Sequence, residues 1–178
     1  MKLAAFDVGG DSQSDPAARS DSRCTDPAPA LEHFCVGMAV PSTTSGGYAI
    51  INDITARDLQ GRHSQWLIGK SQDSFGPMGP WAVTRHEIDL ANTQVRCWVN
   101  GELRQDQNTS ALIVDVPSLI ATLSQGITLL PGDIIVTGTP AGEGIGFKPP
   151  KYLVPGDVMK VEISGIGILE NQIHERPA

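Results

Sequence analysis

The run Asn52-Asp53-Ile54-Thr55-Ala56-Arg57-Asp58-Leu59-Gln60 holds the densest chemistry in the chain: two carboxylates, a guanidinium and two amides, directly after the apolar stretch Tyr48-Ala49-Ile50-Ile51. If Ile54 to Gln60 is a helix with Asp53 as its cap and Gly61 as its stop, Asp53, Arg57 and Gln60 fall at i, i+4 and i+7 and share one face. A hard-cation ligand, an anion clamp and a neutral hydrogen-bonding amide then project into one space. The plainer alternative is a capped surface helix carrying an Asp–Arg pair.

Two further segments add to this set. Trp66-Leu67-Ile68-Gly69-Lys70-Ser71-Gln72-Asp73-Ser74-Phe75-Gly76-Pro77 places a lysine among apolar and glycine residues. An ammonium there is suited to polarise a carbonyl or to hold an enolate; the plain alternative is a surface lysine in a loop. Thr137-Gly138-Thr139-Pro140-Ala141-Gly142 puts two hydroxyls and open backbone amides after the apolar run Ile134-Ile135-Val136, a good place to hold a carboxylate, or an ordinary strand-ending turn.

The elements that must position these residues are mostly strands. Glycine at 19 and proline at 13 of 178 residues favour a turn-rich β architecture over a helical bundle. Strands are expected at Tyr48–Ile51, Val95–Val99, Ile134–Val136, Val158–Ile163 and Ile166–Leu169. Asn100-Gly101 is a hairpin turn with Glu102–Gln105 as the return strand. Leu130-Pro131-Gly132-Asp133 and Val154-Pro155-Gly156-Asp157 share one turn grammar. Asp115-Val116-Pro117-Ser118 opens a helix through Leu123. Lys2–Val8 and Phe34–Val40 are weaker strand candidates. The expected count is about seven strands and two short helices, a mostly β fold with a mixed sheet. Asp11–Pro29 is small, polar and proline-bearing and reads as loop or disorder. The organisation expected is a poorly structured segment over 1–46 and a partial catalytic domain over 47–178.

Composition excludes several classes. A net charge of -7 and no Lys/Arg-rich run argue against nucleic acid as a partner. No apolar run approaches the roughly 18 residues of a membrane span. Three cysteines without C-x-x-C spacing, and an N-terminus lacking the marks of a signal or transit peptide, make the cytoplasm the expected location. Gly142-Glu143-Gly144-Ile145-Gly146 lacks the G-x-G-x-x-G spacing. Gly69-Lys70-Ser71 lacks the upstream glycine of a P-loop, and the four histidines show no zinc spacing.

Five segments, NDITARDLQ, QWLIGKSQDSFGPMGP, VNGELRQDQNTS, LLPGDIIVTGTPAGEGIG and LVPGDVMKVEISGIGILEN, together resemble the fumarylacetoacetate hydrolase superfamily, its short single-domain branch, in order and spacing from Gly47 to about Asn171. The resemblance implies a mixed β-roll, a homodimer, and a divalent cation (magnesium, manganese or calcium). It implies chemistry on 2-oxo or acylpyruvate-type acids (hydrolysis, isomerisation, hydration or decarboxylation) through a metal-bound enolate. By the same resemblance Asp53 is a metal ligand, and Ser74 stands where the family generally has threonine beside the metal. Arg57 and Gln60 orient substrate and stabilise an oxyanion, Lys70 is the active-site lysine, and Thr139 binds the substrate carboxylate.

The chain departs from the family pattern in one respect. The Glu-x-Glu pair expected before the NDxTARD motif is absent, and a hard cation takes about six oxygen ligands. Glu87 and Asp89 have that spacing but follow Asp53 and are assigned to solvent. Glu32 and His33 are adjacent, yet their surroundings do not resemble the family's water-activating pair. Residues 1–10 look like a family opening strand, and the stretch up to Gly47 is too short, so the expectation is that a middle section has been lost and cation binding weakened. Alongside the enzyme stand two other readings: a catalytically impaired member acting as dimerisation partner of a full-length homologue, and a metal-free carboxylate binder using Arg57, Lys70 and Thr139.

Overall fold

The structure is a computed structural model that describes residues 31–32, 35–40, 46–62, 65–130 and 132–175, the first two stretches through their backbone only. The strand candidate Lys2–Val8, the stretch Asp11–Pro29 and His33 lie outside the described residues.

Ten strands, three α-helices and two short 3-10 turns make up the described chain. One sheet runs β10(Gly167–Gln172)-β9(Val158–Ile163)-β6(Gln94–Val99)-β7(Glu102–Asn108), and the other β5(Met78–Thr84)-β3(Gly47–Ile51)-β2(Cys35–Val40)-β8(Asp133–Val136). A two-stranded ladder joins β1(Leu31–Glu32) to β4(Thr55–Ala56), with Glu32 opposite Thr55. Every pairing among the described residues is antiparallel, so the mixed character expected of the sheet is not seen there. No helix of the described residues is long and apolar enough to cross a membrane.

The core lies between the two larger sheets. Tyr48, Ile50 and Val83 from one sheet meet Val95, Val161, Ile163 and Leu169 from the other. The alternation of β9 follows from this: Met159, Val161 and Ile163 are buried while the residues between them are half-exposed. A second cluster, Ile54, Ala56, Phe75, Leu153, Met159 and Ile173, lies beneath the NDITARDLQ segment.

The turns follow their sequence grammar. Asn100 (φ 51°) and Gly101 (φ 80°) both adopt the left-handed backbone that a two-residue hairpin of this type requires. The Asn100 side chain also donates to Asp157 at 2.7 Å and accepts from the Val158 amide at 2.9 Å, tying the hairpin to β9. In both Pro-Gly-Asp turns the aspartate caps the turn it ends: Asp133 accepts from the Leu130 amide at 2.7 Å and Asp157 from the Val154 amide at 2.8 Å. Helix α3(Val116–Ser124) opens as expected, with the Asp115 carboxylate accepting from the Ser118 amide at 2.8 Å.

The NDITARDLQ segment corrects the sequence expectation. It is not helical from Ile54: Thr55–Ala56 form β4, and helix α1 spans Arg57–Arg62, passing Gly61. Asp53 therefore neither caps a helix nor shares a helical face with Arg57 and Gln60. The cause is tertiary: Ile54, Thr55 and Ala56 are all buried, and β-branched Ile54 and Thr55 suit an extended backbone packed on Phe75 and Ile173.

Candidate active site

Asp53 projects from a tight bend. The Ile54 amide donates to the Asn52 carbonyl at 3.0 Å, and the Asn52 amide donates to the Pro77 carbonyl at 2.9 Å. The buried Asn52 side chain donates to Asn171 at 3.4 Å and to the Met159 sulfur at 3.6 Å, anchoring the bend to β9 and β10. The position of Asp53 is thus set by the sheet behind it.

Lys70 reaches Asp53 from the end of helix α2(Leu67–Lys70). Its ammonium forms an ion pair with the Asp53 carboxylate and donates to the Thr55 hydroxyl at 3.0 Å. Both charged side chains are 24% exposed, deep enough for the pair to be partly shielded and open enough for a ligand to reach. Gly69 makes this approach possible: a Cβ there would lie 2.9 Å from the Gln60 amide nitrogen and 3.0 Å from the Ala56 carbonyl, so α2 packs directly against α1 and the end of β4.

On α1, the Arg57 guanidinium donates to the Gln60 side-chain carbonyl at 2.8 Å, one helical turn apart. Ser74, the other residue assigned to metal, adopts φ 68°; its hydroxyl is buried with no hydrogen-bond partner among the described residues. Such a backbone is uncommon at a residue other than glycine. Phe75, the next residue, is buried in the second core cluster beside Ile54 and Ala56.

Thr139 belongs to a different neighbourhood. Its hydroxyl accepts from the Gln105 amide at 2.9 Å and lines a cavity of about 400 Å³ with Val95, Leu112, Val116, Thr137 and Pro140. The structure therefore brings Asp53, Thr55 and Lys70 into contact and Arg57 onto Gln60, with Thr139 held by β7. The two regions approach at a small cavity shared by Asn52, Arg104, Gly142 and Gly144.

The described donors do not by themselves fit a divalent cation. Asp53 is the one carboxylate of this cluster, its charge is matched by Lys70, and no group of three or more His, Cys, Asp or Glu side chains occurs among the described residues. Glu87 and Asp89 are exposed and cap their own turn, Glu87 accepting from the Thr84 amide at 2.7 Å and Asp89 from the Ala91 amide at 3.0 Å. The bond from Thr84 holds the Glu87 carboxyl below its usual range.

Three contributors went unread in the sequence: Thr55, whose hydroxyl meets Lys70; Gly69, which lets Lys70 approach; and Gln105, which holds Thr139. Thr55 lies inside the motif, and Gly69 directly precedes the lysine. Gln105 sits in the polar run Glu102-Leu103-Arg104-Gln105-Asp106-Gln107, where nothing in the pattern singles it out.

The sequence matches the fumarylacetoacetate (FAA) hydrolase C-terminal family over residues 45–174. It is 55% identical over 128 residues to the oxaloacetate tautomerase YisK of Bacillus subtilis, covering 71% of this chain and 42% of that protein. The fold is similar to a fumarylacetoacetate hydrolase from Exiguobacterium antarcticum (43% identity, TM-score 0.79, 89% of this chain and 60% of that one). It is also similar to a 5-carboxymethyl-2-hydroxymuconate delta-isomerase from Mycobacterium smegmatis (34% identity, TM-score 0.75, 86% and 62%). The chain thus spans about two-fifths of the curated relative and about three-fifths of the matched structures. By its sequence match and its fold, it belongs to the fumarylacetoacetate hydrolase family.

Proposed function

We propose that this chain carries the part of an active site that manages the negative charge of an enolate formed from a 2-oxo or acylpyruvate-type acid. The observation that carries the reading is the Lys70 ammonium fixed between the Asp53 carboxylate and the Thr55 hydroxyl, with the Arg57–Gln60 pair on the adjoining helix. Loss of a proton from the carbon next to a 2-oxo group moves negative charge onto the oxo oxygen. A preset ammonium and guanidinium offset that charge without reorganising. The Thr139 hydroxyl, held by Gln105, donates to the substrate carboxylate. Its oxaloacetate tautomerase relative makes keto–enol interconversion the reaction to test first.

A magnesium, manganese or calcium ion would supply Lewis-acid polarisation of the oxo oxygens. The described donors do not complete such a site, so the charge balance rests here on Lys70 and Arg57. That same shortfall favours a second reading, in which the chain is a catalytically impaired family member that pairs with a full-length homologue. An oxaloacetate keto–enol exchange assay, with size-exclusion of the chain alone and with such a homologue, separates the two. Turnover by the isolated chain supports the first reading; hetero-association without turnover supports the second.

A further inference from the structure

Gln105 is 1% exposed, and its side-chain amide is the link between β7 and the loop that carries Thr139. The strand has a bulge at this point: Cys97 pairs with Gln105 and Trp98 with Leu103, so Arg104 is the extra residue. Bulges re-aim the neighbouring side chain. The loop seats against the bulge at Gly142 (φ +118°), where a Cβ would lie 2.0 Å from the Arg104 carbonyl oxygen and 3.0 Å from Gln105 Cγ.

The amide orientation is fixed by chemistry. Gln105 Nε2 lies 2.6 Å from the Pro140 carbonyl oxygen and 2.9 Å from Thr139 Oγ1. A carbonyl tolerates a donor at that distance, not another oxygen, so both hydrogens of the NH2 group are committed to Pro140 and Thr139. Thr139 is then the acceptor in its bond with Gln105. Among the described residues its own hydrogen reaches only the Pro140 oxygen, over a long 3.4 Å, at a carbonyl that also takes the shorter bond from Gln105, so a ligand oxygen at ordinary distance would draw it away.

We propose that Gln105 is a positioning residue: by donating to Thr139 and occupying Pro140, it directs the Thr139 O–H into the 400 Å³ cavity as a donor to a ligand carboxylate. The inference rests on the reading that Thr139 binds a carboxylate. Gln105 touches no substrate in this role and acts only through Thr139.

The test is calorimetric titration of the full chain with oxalate, with thermal melts to establish that each variant is folded. Thr139→Val removes the hydroxyl and weakens binding about tenfold, the effect of one donor to a charged group. Gln105→Glu presents an acceptor that captures the Thr139 hydrogen, and weakens binding by a similar factor. In the Thr139→Val background it costs nothing more, because there is no hydroxyl left to direct. Gln105→Met, uncharged and of similar volume, releases the Pro140 oxygen to the Thr139 hydroxyl and carries the same comparison if the glutamate variant does not fold. Gln105 variants that bind like the parent while Thr139→Val is weakened overturn the positioning role alone, as do losses that add in the double variant. Unchanged binding by Thr139→Val, or no saturable binding by the parent, overturns the Thr139 reading and the positioning role with it.

Discussion

Lys70 and Asp53, 17 residues apart in sequence, form a partly buried ion pair whose cationic end is also held by the Thr55 hydroxyl. Two separately packed elements meet in this contact: a bend pinned to the sheet through Asn52, and a single-turn helix pressed against α1 at Gly69.

The closeness of Gly69 to α1 gives the first prediction. Gly69→Ala forces a Cβ to within 3.0 Å of the Gln60 nitrogen and the Ala56 carbonyl, both backbone atoms, so α2 must shift. Displacing Lys70 by about 1 Å is expected to lower any enolising activity by about 100-fold. Circular dichroism should show the fold retained. Parent-level activity would mean that the approach of α2 is not critical.

Gly142 offers a matched pair with Gly126. Gly142→Ala meets the Arg104 carbonyl at 2.0 Å from a left-handed backbone, and the expected loss is at least about 1–3 kcal/mol. Gly126, beyond α3, has open space at its Cβ, and Gly126→Ala should be neutral or stabilising by up to about 1 kcal/mol. Denaturant midpoints of the two variants check both signs.

The core between the sheets should behave as a close-packed interior. Ile163 is 1% exposed and sits in the main cluster. Ile163→Ala is expected to cost about 2–5 kcal/mol in urea unfolding. A loss below 1 kcal/mol would show that the two sheets do not pack as described.

Asp115 supplies a pH signature. The Ser118 hydroxyl and amide hold its carboxyl below the ordinary value of 3.8. A depressed folded-state pKa means that the contribution is present above 3.8 and is lost as pH falls through the lower folded value. Asp115→Asn, a comparable cap without a titrating charge, should therefore lose less melting temperature than the parent between pH 5 and pH 2.5. Parallel loss in both would remove Asp115 as a source of acid sensitivity.

Donor count gives a metal prediction. Among the described residues Asp53 is the one carboxylate of its cluster, so magnesium or manganese should show no stoichiometric, sub-millimolar binding to this chain by calorimetry. Tight binding would mean that residues beyond those described complete the ligand set.

What the sequence revealed and what it hid follow from the range of the forces involved. Turns set by local chemistry were legible: Asn100-Gly101, the two Pro-Gly-Asp corners and the Asp115 cap each satisfy their own backbone within a few residues. The start of α1 was misjudged because Ile54, Thr55 and Ala56 are claimed by a core assembled from Phe75, Leu153 and Ile173, far along the chain. Strand β5 went unread because Gly79-Pro80 argues against a strand interior, whereas β5 is an edge strand, where proline is tolerated. Within the site, Asp53, Arg57, Gln60 and Lys70 were named from residue type and resemblance. Gln105 was not, because its importance arises only when the bulge at Arg104 and the loop at Gly142 come together.

Lys70, held by Asp53 and Thr55, is the group proposed to offset enolate charge. The direct measurement is the rate of oxaloacetate keto–enol exchange, followed by ultraviolet absorbance, for the parent chain and for Lys70→Met. The parent should accelerate exchange over buffer, and the variant should fall by at least about 100-fold, the scale of losing one preset electrostatic group. Equal rates for parent and variant, with both folded, would contradict that role for Lys70.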